Sequence, residues 1–357
     1  MSSEDMLKAA VTHWGARTVA NGVALTDFED ITKSLTSYDD WCKAWVERGA
    51  LHERIGREAL AAKHFLTAGE CLQRAAVYYH FGSFLFAHKP DEMKAAHKKQ
   101  IECRQLALPY LNPPGERVEI PYEGTTLPGI LRKPQRIDNA VAKPPVVVMA
   151  VGLDSTKEET DAYETPFLAR GMATLVFEGP GQGESQYALP IRGDYEVPVK
   201  AVLDYVETRS DLDTKRIGMW GVSLGGYYAP RATAFEKRIK ACIALGGPFD
   251  FGAAFDKLPD LTRETFRIRS HCKTVDEARE NAKKLTLVGI AQNITCPIFI
   301  VNGRLDRVVP AADAERLARE VKGPVVLMMI EDGNHIANNR AYRWRSQSAD
   351  WMKEMLG

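Results

Sequence analysis

The sequence has no excess of charge of either sign, since 47 Lys and Arg residues balance 47 Asp and Glu residues in a chain of 357. A chain without net charge has no electrostatic reason to bind nucleic acid or an anionic membrane. Long apolar runs are also absent. None approaches the roughly 20 residues that cross a bilayer, and Met1 to Lys8 is polar and acidic rather than a basic leader. We therefore expect a cytoplasmic protein.

Cysteine is scarce and shows no pairing pattern. The spacings match neither a zinc site nor a disulfide framework. The six residues are Cys42, Cys71, Cys103, Cys242, Cys272 and Cys296. We expect reduced thiols, mostly buried, and no metal.

The length predicts two parts, because single hydrophobic cores stop growing near about 250 residues. Residues 1–113 show helical periodicity without strand-like alternation, as from Glu58 to Phe86, where apolar residues recur every three or four positions. Pro113-Pro114-Gly115 marks a boundary. We predict an all-helical domain at 1–113, which either covers the second part or forms a subunit interface, and a different domain at 114–357.

The second part has the pattern of short strands alternating with helices. Val118–Tyr122 and Leu127–Arg132 predict an antiparallel hairpin at a sheet edge. Continuous apolar runs are typical of strands that helices bury on both faces. They occur at Pro145–Val151, Ala173–Phe177, Ala241–Leu245, Ile298–Val301 and Val325–Ile330. This alternation predicts an α/β fold with a mostly parallel sheet.

One turn in this part has the sequence pattern of a turn that presents a nucleophilic serine. In Arg216–Gly226, an apolar strand end runs into Gly221-Val222-Ser223-Leu224-Gly225, and a helix begins there. Glycines flanking a serine between strand and helix allow the strained turn that exposes a hydroxyl at the carboxyl edge of the sheet. The same pattern also occurs by chance as a Gly-rich turn.

Two downstream residues favour the nucleophile over the chance pattern. Asp306 follows the strand ending at Val301, and His335 follows the strand ending at Ile330. An isolated Asp or His in a loop is usually a turn or surface residue. The order Ser, Asp, His, with each residue after its own strand, is that of the α/β-hydrolases. We predict Ser223, Asp306 and His335 as a catalytic triad.

An acyl-transfer enzyme of this architecture uses two backbone N–H groups as an oxyanion hole. One comes from the residue after the nucleophile, here Leu224. The other comes from the loop after the first buried strand, here Leu153. Backbone donors leave no side-chain signature, so these two predictions rest on position alone.

Residues for substrate binding are harder to select. Trp45, Tyr79 and His80 of the helical part are candidates, although most aromatic residues there are expected to be core. An insertion at about 248–289 adds Phe251 as a second wall and Asp256 as an auxiliary carboxylate, for which a solvated loop acid is the simpler interpretation.

The chain resembles the α/β-hydrolase superfamily from about Val118 to its end. Further motifs resemble one subgroup, that of 2,6-dihydroxypseudooxynicotine hydrolase and fungal polyketide-shortening hydrolases. They are Arg74 to Phe81, Gly152 to Glu159 and the Gly-rich run Gly179 to Glu184, which lacks the Lys-Ser/Thr ending of a phosphate loop. The resemblance implies an eight-stranded sheet, a helical cap domain at the N-terminus that forms part of the substrate pocket, and a homodimer.

The resemblance also implies a reaction. The subgroup hydrolyses a carbon–carbon bond next to a ketone, often in a 1,3-dicarbonyl attached to an aromatic ring, and needs no cofactor. A carboxylesterase or amidase of the same fold is the alternative, since triad and oxyanion hole are shared. A non-catalytic regulatory or binding protein that kept the fold is the alternative of another class, against which the intact triad argues.

Overall fold

A computed structural model of the protein describes residues 3–135 and 143–357. Met1 and Ser2, the start of the polar N-terminal segment, lie outside the described residues. Among the helices within the described part, none combines the length and the apolar character required to span a membrane.

The chain forms two compact units. The helical unit contains Met1–Glu116 and a short later segment, Glu158–Ala162. The sheet unit contains Arg117–Lys157 and Tyr163–Gly357. The sequence therefore leaves the sheet unit for five residues and then returns to it.

The helical unit consists of long helices that bury one face each. Its elements are α1 (Ser3–Ala20), α2 (Leu25–Ser34), α3 (Trp41–Ala61), α4 (Phe65–Ser83) and α5 (Pro90–Ala107). The periodic stretch from Glu58 to Phe86 is not one helix, because Lys63 has a φ of 62° and separates α3 from α4. Apolar periodicity continues across this break, so it could not be seen in the pattern.

The sheet unit contains an eight-stranded sheet, as predicted. Its strands are β1 (Gly115–Tyr122), β2 (Thr125–Arg132), β3 (Pro145–Ala150), β4 (Ala173–Phe177), β5 (Asp213–Val222), β6 (Ile239–Leu245), β7 (Ile298–Gly303) and β8 (Val325–Ile330). The spatial order is β1-β2-β4-β3-β5-β6-β7-β8. β2 pairs antiparallel with β4, and the strands from β4 to β8 pair in parallel. This is the α/β-hydrolase fold.

The buried strands supply both faces of the sheet. Val146 and Val148 of β3 belong to one apolar cluster, and their neighbours Val147 and Met149 belong to the other. Alternate side chains of a strand point to opposite faces, so a strand covered on both sides must be apolar throughout. The unbroken apolar runs in the sequence follow from this burial.

Helices cover both faces. The α-helices after β3 are α6 (Asp161–Leu168), α7 (Glu196–Thr208), α8 (Gly225–Phe235), α9 (Phe251–Ala254), α10 (Asp260–Arg269), α11 (Val275–Ala282), α12 (Ala311–Glu320) and α13 (Arg345–Leu356). Trp344, directly before α13, and Met352, within α13, pack against the sheet. Met355, in the last turn of α13, is 38% exposed.

Candidate active site

Ser223 lies in the turn between β5 and α8, where its φ of 57° places it in the left-handed region. The turn needs glycine on both sides. A Cβ on Gly221 would lie 1.9 Å from the carbonyl oxygen of Gly225, and one on Gly225 would lie 2.2 Å from that of Ala150. Strained backbone of this kind persists only where the surroundings enforce it. Here it holds the serine at the carboxyl edge of the sheet.

The structure brings the three predicted residues together. His335 Nε2 lies 2.9 Å from Ser223 Oγ, and His335 Nδ1 lies 2.8 Å from Asp306 Oδ2. An ionised carboxylate only accepts hydrogen bonds, so Nδ1 carries the ring proton. Nε2 is then free to accept the proton of the serine hydroxyl.

Asp306 is fixed by its own loop. Its Oδ1 accepts hydrogen bonds from the backbone N–H groups of Val308, at 2.8 Å, and Val309, at 2.9 Å. The side chain is fully buried. Both carboxylate oxygens are thus engaged, and the oxygen facing His335 has one orientation.

The backbone after the histidine is strained. Ile336 and Ala337 have φ values of 50° and 49°, although neither is glycine. Gly246 leaves room for this turn, since a Cβ there would lie 2.5 Å from Cγ2 of Ile336. Strained residues cluster at functional sites, where neighbouring structure compensates their cost of roughly 1–3 kcal/mol each. The turn sets the position from which His335 reaches Ser223.

Two backbone N–H groups flank the serine without a hydrogen-bond partner of their own. Within the part of the chain that the structure describes, neither Leu153 nor Leu224 donates its N–H to another protein group. Gly152, the residue before Leu153, packs against the nucleophile turn, because a Cβ on it would lie 3.1 Å from Cβ of Ser223. Unpaired N–H groups at such a position can stabilise a developing oxyanion.

The loop carrying Leu153 is held by a glutamine that sequence reasoning missed. Gln182 Nε2 donates to the carbonyl of Val151 at 2.5 Å and lies 3.4 Å from that of Gly152. Gln182 Oε1 accepts from the Gly179 N–H at 2.8 Å and from the Tyr195 hydroxyl at 2.6 Å. In a trans peptide the C=O and the following N–H point in opposite directions. Fixing the Gly152 carbonyl therefore orients the Leu153 N–H.

A buried ion pair ties the same loop to the Gly-rich run. Lys157 Nζ lies 3.0 Å from Glu178 Oε2, and both side chains are almost fully buried. Glu178 also accepts from the backbone N–H of Lys157 at 2.9 Å and of Glu184 at 2.8 Å. A Cβ on Gly183 would lie 1.9 Å from the Glu178 carboxyl carbon, so this glycine makes room for the carboxylate. The Gly-rich run supports the loop before Lys157.

The three pocket candidates of the helical unit are buried among other side chains. Trp45 is fully buried between aromatic rings, among them Trp41 and Tyr78. Tyr79 donates its hydroxyl to Glu53 at 2.7 Å. The need of a buried phenol for a partner was the reason to select Tyr79, and Glu53 is that partner.

His80 has a charged neighbour within the helical unit. Its Nε2 lies 3.2 Å from Oε2 of Glu159, and both side chains are buried. Arg17 also pairs with Glu159. Burial by itself raises the pKa of Glu159, but the charges of Arg17 and His80 outweigh it and hold the pKa well below its usual range.

The two candidates of the insertion differ in their surroundings. Phe251 is buried against Phe255 and Phe266 in the core of the sheet unit. The side chain of Asp256 is 63% exposed and pairs with Arg279 at 2.9 Å. The surroundings of Asp256 are therefore those of a solvated loop acid.

Within residues 3–135 and 143–357, no group of three or more His, Cys, Asp or Glu side chains is arranged to hold a metal ion. The chemistry available at Ser223 is that of an activated hydroxyl beside two N–H donors.

Comparison with known proteins places the chain in a family. The model of the prolyl oligopeptidase family matches residues 160–357. The 2,6-dihydropseudooxynicotine hydrolase of Paenarthrobacter nicotinovorans is 34% identical over 349 residues, which cover 96% of this chain and 92% of that protein. The crystal structure of a 2,6-dihydroxy-pseudo-oxynicotine hydrolase superposes with a TM-score of 0.87 at 33% identity, covering 96% of this chain and 95% of that one.

Fungal hydrolases are similar over a shorter range. The 20-hydroxy-prefusarin hydrolase of Gibberella moniliformis is 36% identical over 222 residues, which cover 59% of this chain and 53% of that protein. The chain thus matches about half the length of this fungal relative. These findings confirm the family resemblance, the fold and the assignment as an enzyme.

Proposed function

The chain belongs to the prolyl oligopeptidase family of α/β-hydrolases, and from this premise we propose that it is a serine hydrolase with Ser223 as nucleophile, His335 as general base and Asp306 as the group that orients the imidazole. The observation that carries the proposal is the continuous chain of contacts Asp306–His335–Ser223, at 2.8 and 2.9 Å, beside two N–H groups that have no partner among the described residues. Each contact has the length that proton transfer requires.

In the first half of the reaction, His335 Nε2 removes the proton of Ser223 as Oγ attacks a substrate carbonyl. The N–H groups of Leu153 and Leu224 stabilise the oxyanion, and Asp306 stabilises the imidazolium. The tetrahedral intermediate then collapses, and the bond from the carbonyl carbon to the leaving group breaks. The leaving group takes its electron pair and receives a proton from His335.

The substrate that we propose is an aromatic or heteroaromatic 1,3-dicarbonyl compound. Its leaving group is a carbon, and the second carbonyl stabilises the electron pair as an enolate, so the imidazolium can protonate it to a ketone. The family resemblance and the pseudooxynicotine substrate in the names of two relatives support this proposal. Water then attacks the acyl-serine by the same proton transfers in reverse roles, which releases a carboxylic acid and restores Ser223.

An esterase differs only in its leaving group, an alkoxide, so the same residues serve both reactions. Comparing the wild type with Ser223→Ala on aryl esters and on aromatic 1,3-diketones separates the two. We expect turnover of both classes by the wild type and of neither by the variant. Turnover of esters alone would favour a carboxylesterase, and equal rates for both proteins would contradict the serine mechanism.

We also propose that the protein is a homodimer, as the family resemblance implies. Light scattering coupled to size-exclusion chromatography measures the mass in solution. Twice the chain mass of 39.7 kDa is the expected result.

A further inference from the structure

Among the residues that the structure describes, the sheet unit contains a buried cation without a carboxylate partner. Arg269, the last residue of α10, is 7% exposed. Its Nη1 donates to the backbone carbonyl of Leu153. No Asp or Glu side chain in the described part of the chain forms an ion pair with it. By contrast Arg267, two residues earlier, makes two hydrogen bonds with Glu264, at 2.9 and 2.6 Å.

An unpaired buried charge is costly, and proteins usually neutralise it with an opposite charge. A carbonyl oxygen satisfies one N–H of a guanidinium but supplies no negative charge. The planar fork of arginine, with five donors, matches a carboxylate with two hydrogen bonds, and a single donor can bind a phenolate oxygen. Arg269 thus has the chemistry of a group that an anionic ligand completes.

The position of Arg269 relates it to the reaction centre. Leu153, whose carbonyl it binds, is the residue whose N–H faces the proposed oxyanion. Gly152, the preceding residue, packs against Ser223, at 3.1 Å from an ideal Cβ to the serine Cβ. The guanidinium is therefore bound to Leu153, the residue directly after Gly152, and Gly152 contacts the nucleophile turn.

Further donors near Arg269 have no partner. The hydroxyl of Tyr228, five residues after Ser223, is buried and makes no hydrogen bond within the described residues. Burial raises the pKa of Tyr228, and the charge of Arg269 opposes this effect. The hydroxyl of Thr265, one turn before Arg269 on the same face of α10, is likewise buried without a partner.

The backbone of Arg269 is firmly held. Its carbonyl accepts a hydrogen bond from the Ile191 N–H at 3.0 Å. His271, with a φ of 54°, follows the end of α10, and its ring nitrogen Nε2 lies 2.8 Å from the carbonyl oxygen of Gln186. Because this backbone is already ordered, binding of a ligand by the side chain costs no further backbone entropy.

We propose that Arg269 is a specificity-determining residue that binds an anionic oxygen group of the substrate, a carboxylate or a phenolate, and that Tyr228 donates a second hydrogen bond to the same group. The inference rests on the proposed function for its site at Ser223, and it narrows the substrate to anionic acyl compounds. Arg269 then has two roles, since it also holds the carbonyl of Leu153.

A pair of esters tests the charge preference. 4-Nitrophenyl butyrate and 4-nitrophenyl hemisuccinate have acyl chains of equal carbon number, and only the second carries a carboxylate. We expect kcat/KM of the wild type to favour the hemisuccinate, and Arg269→Gln to lower the ratio of the two kcat/KM values by about 10- to 100-fold, the effect of a hydrogen bond to a charged group. Arg267→Gln, the matched control on the same helix, leaves the ratio and both rates unchanged.

An unchanged ratio in Arg269→Gln, with equal losses on both esters, would overturn the proposal, because Arg269 would then only position Leu153. Tyr228→Phe provides a second variant that keeps every charge. We expect it to lower the same ratio by a smaller factor, about 3- to 10-fold. This variant keeps the test decisive if Arg269→Gln fails to fold.

A binding experiment separates this inference from the proposed function. The Ser223→Ala protein, which cannot turn over an ester by the proposed route, is titrated calorimetrically with benzoate and with benzamide. We expect tighter binding of benzoate, and loss of that difference when Arg269→Gln is added. Benzoate selectivity without any esterase activity in the wild type would contradict the proposed function alone. Esterase activity without benzoate selectivity would contradict the anion site alone.

Discussion

The backbone at Ser223 is strained, and the surrounding turn holds it in this conformation. Gly221 and Gly225 allow the strand and the helix to approach, and His335 and Asp306 complete the arrangement from two other loops. In the proposed mechanism the three side chains have separate roles: the hydroxyl reacts, the imidazole moves a proton, and the carboxylate fixes the tautomer. The contribution of the carboxylate is the one that substitution isolates best, because an amide has nearly the same shape.

We predict that Asp306→Asn lowers kcat by roughly 10⁴-fold with little change in KM, because an amide can stabilise the wrong imidazole tautomer. Steady-state kinetics on an aryl ester measures this. Asp332→Asn is the control, since Asp332 lies on the loop before His335 but pairs with Arg340 at the surface. A loss below about tenfold in Asp306→Asn would contradict the assigned role.

At the scale of elements, the sheet aligns the carboxyl ends of β5, β7 and β8, and this made the proximity of Ser223, Asp306 and His335 predictable from sequence. An apolar run marks each strand, and the residue that follows it must lie at the shared edge. The supports of the site were not predictable in this way. Gln182 and Lys157 come from stretches whose sequences show no period. Arg269 ends an amphipathic helix, but a charge that is buried looks the same in the sequence as an exposed one.

We expect the Gly-rich run to affect catalysis through Gln182, which holds the loop of Leu153. In Gln182→Glu a carboxylate oxygen replaces the amide N–H group facing the Val151 carbonyl, so repulsion displaces the loop of Leu153. We predict a fall in kcat of about 10²-fold, the usual cost of a misplacement near 1 Å.

Tyr195→Phe is the milder comparison for Gln182→Glu, because it removes one hydrogen bond to the glutamine and leaves its contact with Val151 intact. Circular dichroism shows whether both variants fold. Equal kcat values for Gln182→Glu and the wild type would show that the glutamine does not position the loop.

We expect the stability of the helical unit to depend on pH through Glu159. Its folded pKa lies below the unfolded value of about 4.3, so its ion pairs stabilise the fold fully above that pH and lose their effect as the pH falls through the folded pKa. We predict that Glu159→Gln costs about 3–5 kcal/mol at pH 7, because Arg17 is left buried without its partner.

Urea unfolding at pH 7 and at pH 3 measures the effect of Glu159. The wild type should lose more stability than Glu159→Gln between these pH values, so the two curves converge. Glu4→Gln, at an exposed pair, should follow the wild type. Parallel losses in Glu159→Gln and the wild type would contradict the role of the buried carboxylate.

At the scale of the whole molecule, the chain path joins the two units. Glu158–Ala162 belongs to the helical unit, although the residues on both sides belong to the sheet unit. Glu158 accepts a hydrogen bond from Gln100 at 2.9 Å within the helical unit. The division at 113/114 predicted from sequence places all of 114–357 in one domain. The five-residue segment falls inside that range, and no change in composition marks it as part of the helical unit.

We predict that a chain shortened to residues 117–357 is less stable and at least about 10²-fold less active than the full chain. Removing the helices deletes every helical-unit partner of Glu158 and Glu159, so the loop that carries Leu153 loses an anchor at its far end. Thermal unfolding and ester hydrolysis measure both effects. Full activity of the shortened chain would show that the contacts of this segment with the helices do not support the site.

The reactivity of Ser223 is the central claim, and covalent labelling tests it most directly. The full chain is treated with a fluorophosphonate ester, digested and analysed by mass spectrometry. We predict a single phosphonylated peptide containing Ser223, loss of hydrolase activity in proportion to labelling, and no labelling in His335→Ala. Hydrolase activity that persists in protein fully labelled at Ser223, or a label on another residue, would contradict the account.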